Sequence, residues 1–118
     1  MTFSEAINTI DRLKPNSYSE KDKVRWLIKL EELIEKTVLG SREYSVYDYE
    51  NIPLDTELIA DSAYDEMYVA WLESKIDYYN NEYQRYNNSI THFNDLFDAY
   101  TTWYNRNSDH KQTQFKYF

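Results

Sequence analysis

The chain has 118 residues, 21 acidic against 13 basic side chains for a formal net charge of −8, and no cysteine. Its length suggests one domain able to bury a core of its own. The charge argues against sequence-independent binding to DNA or RNA, which needs a basic footprint. The missing cysteine excludes a disulfide framework and a thiolate metal site, and fits a reducing compartment. Aromatic residues make up 18% of the chain, with 13 tyrosines against one glycine and two prolines. Disordered chains show the reverse composition. A single glycine also leaves few places for tight turns with positive φ, which favours helices over hairpins of strands.

The opening stretch, MTFSEAINTIDRLK, is charged from its fifth residue and has no apolar h-region, so it does not read as a signal peptide. No apolar run approaches the ~20 residues that span a bilayer. The expectation is a soluble cytoplasmic protein without a membrane partner. Thr2-Phe3-Ser4-Glu5 has the form of a capping box, predicting a short helix to about Leu13 with Phe3, Ile7 and Ile10 on one side. Pro15 stops it. Ser19 opens a second helix, with Glu20 and Asp22 at the positive end of its dipole. Val24, Leu27, Ile28, Leu30, Ile34 and Val38 form its apolar face, and Gly40 stands where a left-handed terminating residue is wanted.

From 41 to 61 the helical pattern disappears. A loop of this length is unusual in a small domain and is usually functional or disordered. The aromatic and β-branched content of Tyr44–Tyr49 suggests a short strand within it. Ser62 is a candidate N-cap for the next helix, with Asp65 three residues on.

The segment YYNNEYQRYNNSITHFNDLF looks like low-complexity sequence, but its spacing is helical. Leu72, Ile76, Tyr79, Tyr83, Tyr86, Ile90, Phe93, Phe97, Tyr100 and Tyr104 follow one another at gaps of three and four. That is the 3.5-residue repeat of a helical packing seam. A strand would alternate by two. The asparagines at 80, 81, 87 and 88 fall off the seam. An unbroken helix from Ala63 to Arg106 would be roughly 65 Å long at ~1.5 Å per residue. Asn87-Asn88-Ser89 offers a break, with Ser89 as a new N-cap, whereas the unbroken phase favours a continuous or kinked helix. Sequence leaves both open. The expected core includes Trp26, Leu27, Leu30, Ile34, Leu72, Ile76 and Tyr79.

The tail, 107–118, starts polar and ends in three aromatics within four residues, Phe115, Tyr117 and Phe118. Helical periodicity stops before them. The tail is therefore expected to be extended, with Lys111–Phe118 as an assembly arm that adds as a strand to Tyr44–Tyr49 of a neighbouring subunit. The fold expected is all-α: two N-terminal helices, the irregular loop 41–61, a long C-terminal helix and the extended tail 107–118, in one domain.

Candidate chemistry is sparse. His92 and Asp95 are one helical turn apart, yet no further histidine or carboxylate cluster stands at metal-ligand spacing, so a solvated polar face is the simpler reading. Asp61, Asp65 and Glu66 serve a helix N-terminus. There is no P-loop, no glycine-rich phosphate cradle and no nucleophile in a recognisable setting. The expectation is a protein that is not an enzyme and has no catalytic residue, metal or cofactor. The tyrosine seam is too long for two short helices to cover, so part of it is expected to face another subunit. The expected assembly interface is Tyr44, Tyr47, Tyr49, Tyr83, Tyr86, Phe115, Tyr117 and Phe118.

Three segments, LKPNSYSEKDKVRWLIKLEELI, DTELIADSAYDEMYVAWLESKIDYYNNEYQRYNNSITHFNDLFDAYTTWYNR and KQTQFKYF, resemble a family of short proteins from prophages and tailed phages of Gram-positive bacteria. Members lie among head-morphogenesis genes and are taken as head–tail connector, or adaptor, proteins. The likeness covers most of the chain and is most specific in YNNSITHFN…WYNR. It implies a helical virion structural protein, made in the host cytoplasm, that forms a homo-oligomeric ring below the portal and contacts portal and neck or tail proteins, with DNA passing through the middle. The family carries no catalytic motif, so the resemblance transfers no functional residue. A different class is the alternative: a small acidic regulator or inhibitor of a host protein. A charge mimic of DNA would array its carboxylates in rows, whereas this chain spreads them among tyrosines.

Overall fold

Helix α1, Phe3–Leu13, starts at the expected capping box: Thr2 Oγ1 accepts the Glu5 amide and Glu5 Oε1 accepts the Thr2 amide, both at 3.1 Å. Two further amides of its first turn are satisfied from the loop that sequence left irregular. Phe3 donates to the Thr56 carbonyl at 3.2 Å and Ser4 to that of Leu54 at 2.9 Å. A bridge between Thr2 and Glu57 continues this contact. The second half of the loop is thus the cap of α1, and its Leu58 and Ala60 enter the core.

The computed structural model describes residues 1–40 and 47–116, with side chains through Asn107. Helix α2, Glu20–Leu33, begins at Ser19, whose hydroxyl accepts the Asp22 amide at 3.1 Å. It widens into a π-type turn over Ile34–Val38 and ends at Gly40, which has φ +63°. That left-handed conformation is open to glycine without strain.

Helix α3, Asp65–Tyr79, and helix α4, Tyr83–Lys116, form an antiparallel hairpin. The break is at Asn80–Glu82, not at Asn87-Asn88-Ser89 as the sequence suggested. Asn81 adopts φ 60°, its amide donates to the Tyr78 carbonyl at 3.1 Å, and the Glu82 amide donates to the Asp77 carbonyl at 3.0 Å. These are the two bonds of a Schellman termination, with asparagine in the position usually held by glycine. Ser89 caps nothing. It is buried in α4, and its hydroxyl donates to Asp77 Oδ2 at 2.8 Å across the hairpin. At the start of α3 the expected N-cap Ser62 is displaced by Asp61, whose carboxylate accepts the Ala63 amide at 3.0 Å and opens a 3-10 turn over Ser62–Tyr64.

Three aromatic pairs fix the hairpin register: Tyr78 with Tyr86, Trp71 with Phe93 and Tyr64 with Tyr100, at centroid distances of 5.4, 4.9 and 5.3 Å. Each step of seven residues back along α3 matches seven forward along α4, the heptad geometry of packed helices. Helix α3 is central: α1, α2 and α4 all pack on it. It is accordingly buried nearly all round, with Met67, Tyr68, Leu72 and Ile76 inaccessible to solvent. The expected core residues Leu27, Leu30, Ile34, Leu72 and Ile76 are buried, and Trp26 is half-buried. Tyr79 is not a core residue. It is 52% exposed at the end of α3, stacked on Trp26.

Two buried charges tie α1 into this core. Asp77 is 1% exposed and pairs with Lys14 beyond the end of α1 as well as with Ser89. Lys23 of α2 is buried, with Nζ 2.6 Å from Asp11 Oδ1 and 2.9 Å from the Tyr18 carbonyl. The fold is all-α: among the described residues there are four α-helices and no strand longer than the single bridge. No described helix is long and apolar enough to cross a membrane.

Candidate assembly surfaces

The structure divides the expected interface residues. Tyr83 stands 59% exposed at the first position of α4. Tyr86, one turn on, is half-buried against Tyr78. Tyr78 and Tyr79 join them at the α3–α4 turn, so four tyrosines crowd one end of the hairpin. Three of the four remain about half exposed or more. The seam fails here because the chain reverses: of these rings Tyr79 reaches α2 by stacking on Trp26, while Tyr78 and Tyr83 stay about half exposed or more. The off-seam asparagines Asn80 and Asn81 were the available signal for that reversal.

Tyr47 and Tyr49 are turned inward instead. The Tyr47 hydroxyl donates to Glu35 Oε1 at 3.2 Å, and that of Tyr49 to Glu32 Oε1 at 2.5 Å, so both pin the loop to α2. Accepting that bond from Tyr49, Glu32 holds the Tyr49 hydroxyl's pKa above its ordinary value. Neither Tyr47 nor Tyr49 lies in a strand. Tyr44 falls outside the described residues, as do Tyr117 and Phe118. The Phe115 backbone is helical, because α4 continues to Lys116. The tail expected to be extended from residue 107 is therefore helical in its backbone through Lys116. Nothing in the tail's sequence breaks a helix: it contains neither glycine nor proline.

Beneath the loop lies a polar node that sequence did not reveal. Glu31 is 1% exposed, and its Oε2 accepts the Ile59 amide at 2.8 Å. The Tyr68 hydroxyl, inaccessible to solvent, sits beside this carboxylate and accepts the Ala60 amide at 2.9 Å. Burial pushes the Glu31 carboxyl up from 4.5 to about 7, against the bonds from Tyr68 and Ile59 that favour its charged form, and with a further upward push from Glu35. Burial also raises the Tyr68 hydroxyl strongly, and carries that of Tyr100 up to about 12. The node closes the loop onto α2 and α3. It acts as a clasp between the loop and the two helices.

A shallow cleft of about 300 Å³ is bordered by Leu13, Val69 and Ala70 with Glu66, Glu73 and His92 at its edge. His92 Nε2 lies 3.2 Å from Glu66 Oε1, so the nearest acidic partner is across the hairpin and not Asp95. Among the described residues no three metal-ligating side chains converge. A smaller concavity, of about 240 Å³, is lined by Tyr18, Asp22, Trp26 and Tyr79.

No protein-family model, no curated protein sequence and no solved structure matches this chain.

Proposed function

We propose that the chain is a structural subunit of a head–tail connector of a tailed phage or prophage. It would assemble with copies of itself into a ring below the portal, touch portal and neck or tail proteins, and pass from the host cytoplasm into the virion. The observation that carries this reading is the exposed tyrosine cluster at the α3–α4 turn. Tyr78, Tyr79 and Tyr83 are 49, 52 and 59% exposed in the isolated subunit, and three large rings together form the kind of patch that marks a protein contact.

Two further features support it. The last α4 side chains with a described aromatic partner are those near Tyr104, while the helix itself runs on to Lys116. That last stretch of helix includes Phe115, and a helix laid in a neighbour's groove is a common recognition mode. The net charge of −8 would keep packaged DNA from adhering to a channel wall if the acidic face lines the lumen. The reading requires no catalytic residue, metal or cofactor.

The test is assembly. Purified chain, alone and with a portal protein from the same genome, is examined by sedimentation velocity and negative-stain electron microscopy, together with Tyr83→Ala and a chain ending at residue 110. Closed rings, or rings nucleated on portal and lost in both variants, are expected. A chain that stays monomeric with portal present defeats the proposal, and tight binding to an unrelated host protein would favour the regulator reading.

A further inference from the structure

We propose that the concavity formed by Tyr18, Asp22, Trp26 and Tyr79 is a binding site for a cationic side chain, arginine above all, presented by a partner protein. The three rings form a continuous aromatic wall. Tyr18 meets Trp26 edge-on at 5.5 Å, Trp26 and Tyr79 are stacked within 8° of parallel at 5.6 Å, and Tyr18 is 6.3 Å from Tyr79. Asp22 completes the lining with a carboxylate. Aromatic faces attract cations through the ring quadrupole, and a carboxylate beside them adds a hydrogen-bonding anchor.

The wall is held in place before any partner arrives. The Tyr18 hydroxyl donates to Asn80 Oδ1 at 2.7 Å, and its amide donates to Asn16 Oδ1 at 3.1 Å. The Trp26 backbone is fixed from behind, its carbonyl accepting Trp71 Nε1 at 2.7 Å. The Schellman turn sets the end of α3 and with it Tyr79. Preorganised walls lower the entropy lost on binding.

Charge selects the occupant. Elsewhere this chain supplies its own cations to its rings: Lys75 Nζ lies 4.4 Å from the Trp71 ring centre and Lys29 Nζ 5.8 Å from that of Tyr49. Lys23, next to Asp22 in sequence, is committed to Asp11 and the Tyr18 carbonyl. The lining therefore offers electron-rich faces and a carboxylate with no cation of its own, in a chain of net charge −8. At about 240 Å³ it is below the ~300–1,000 Å³ that encloses a whole small molecule, so a side chain is the better fit. Arginine is favoured over lysine because its planar guanidinium stacks on a ring while forking to a carboxylate. The site stands whether or not the chain builds a ring.

The experiment follows the three tryptophan indole resonances of the full chain by NMR while the peptide acetyl-Gly-Arg-Gly-amide is titrated in. The same peptide with citrulline, a neutral isostere, and a hexaproline peptide serve as comparisons. A saturable shift of the Trp26 resonance with the arginine peptide alone is expected, with Trp71 and Trp103 little moved. Asp22→Asn and Tyr79→Ala, both at exposed positions, should each weaken it roughly two- to five-fold, with circular dichroism reporting that the fold is intact. No shift, an equal shift with citrulline or hexaproline, or an unchanged affinity in Tyr79→Ala overturns the proposal.

Discussion

The Trp71 and Phe93 rings lie 4.9 Å apart, at the middle of the α3–α4 hairpin. Phe93 is 4% exposed, and the pair is flanked one heptad away on either side by Tyr64 with Tyr100 and Tyr78 with Tyr86. Phe93→Ala should therefore remove the centre of the seam at a cost of about 3–5 kcal/mol. Tyr83→Ala, on the same helix but largely exposed, should change stability by less than about 0.5 kcal/mol. Urea unfolding of the two variants checks this, and equal losses would contradict the hairpin.

Leu27 of α2 and Leu72 of α3 are both inaccessible to solvent, in two helices that pack on each other. Either leucine changed to alanine should cost about 2–5 kcal/mol. Tyr79→Ala should cost only the stacking on Trp26, about 0.5–1.5 kcal/mol. Thermal denaturation followed by circular dichroism separates the two classes.

Asp77 joins Lys14 to the hairpin and accepts the Ser89 hydroxyl. Lys14 is partly exposed and keeps Glu82 at 3.7 Å, so Asp77→Ala should cost the charge-assisted bonds from Lys14 and Ser89, about 1.5–3 kcal/mol each. Ser89→Ala removes one hydrogen bond to a charged group and should cost about 1.5–3 kcal/mol. A double variant that loses clearly less than the sum in urea unfolding is expected, because both changes break the same contact.

Glu31 sets a pH dependence. Its carboxyl titrates at about 7 in the folded chain against an ordinary 4.5, so between these values the folded state holds a proton that the unfolded state has released. Stability then falls as pH rises through that window, and the loss is complete above it. Its size is on the order of 3 kcal/mol. Glu31→Gln keeps the Ile59 acceptor but cannot ionise. Relative to the parent chain it should gain roughly 2–3 kcal/mol of stability on going from pH 5 to pH 8. Urea midpoints at the two pH values give this double difference, and a variant that tracks the parent at both would remove Glu31 as its source.

Deleting residues 111–118 should leave the thermal midpoint nearly unchanged. The described contacts of α4 with α3 end where Tyr64 meets Tyr100 and Trp103, well before that segment. A large drop in midpoint would mean that the end of α4 folds back onto the core.

Local chemistry was legible in the sequence. The capping box at Thr2, the Ser19 cap, the Gly40 stop, the apolar face of α2 and the helical period of the tyrosine-rich segment each depend on residues within one or two turns of one another. Such short-range terms are the same in the isolated helix and in the folded protein. What the tertiary structure decided was where the long helical pattern turns back. The row from Leu72 to Tyr104 keeps its phase only because α4 returns along α3. Side chains that looked like one continuous seam belong to two faces: Leu72 and Ile76 in the buried body of the central helix, Phe93 and Tyr100 against Trp71 and Tyr64. A period counts residues along the chain and carries no sign for direction in space, so it did not tell the break offered at Asn87-Asn88-Ser89 from the one at Asn80–Glu82, where the chain turns. The turn falls at Asn81 because there Asp77 can reach both Lys14 and Ser89 while three ring pairs close behind it. The Glu31–Tyr68 clasp was hidden for the same reason: its partners are 28 to 37 residues apart in sequence and meet only after the loop has been laid across the helices.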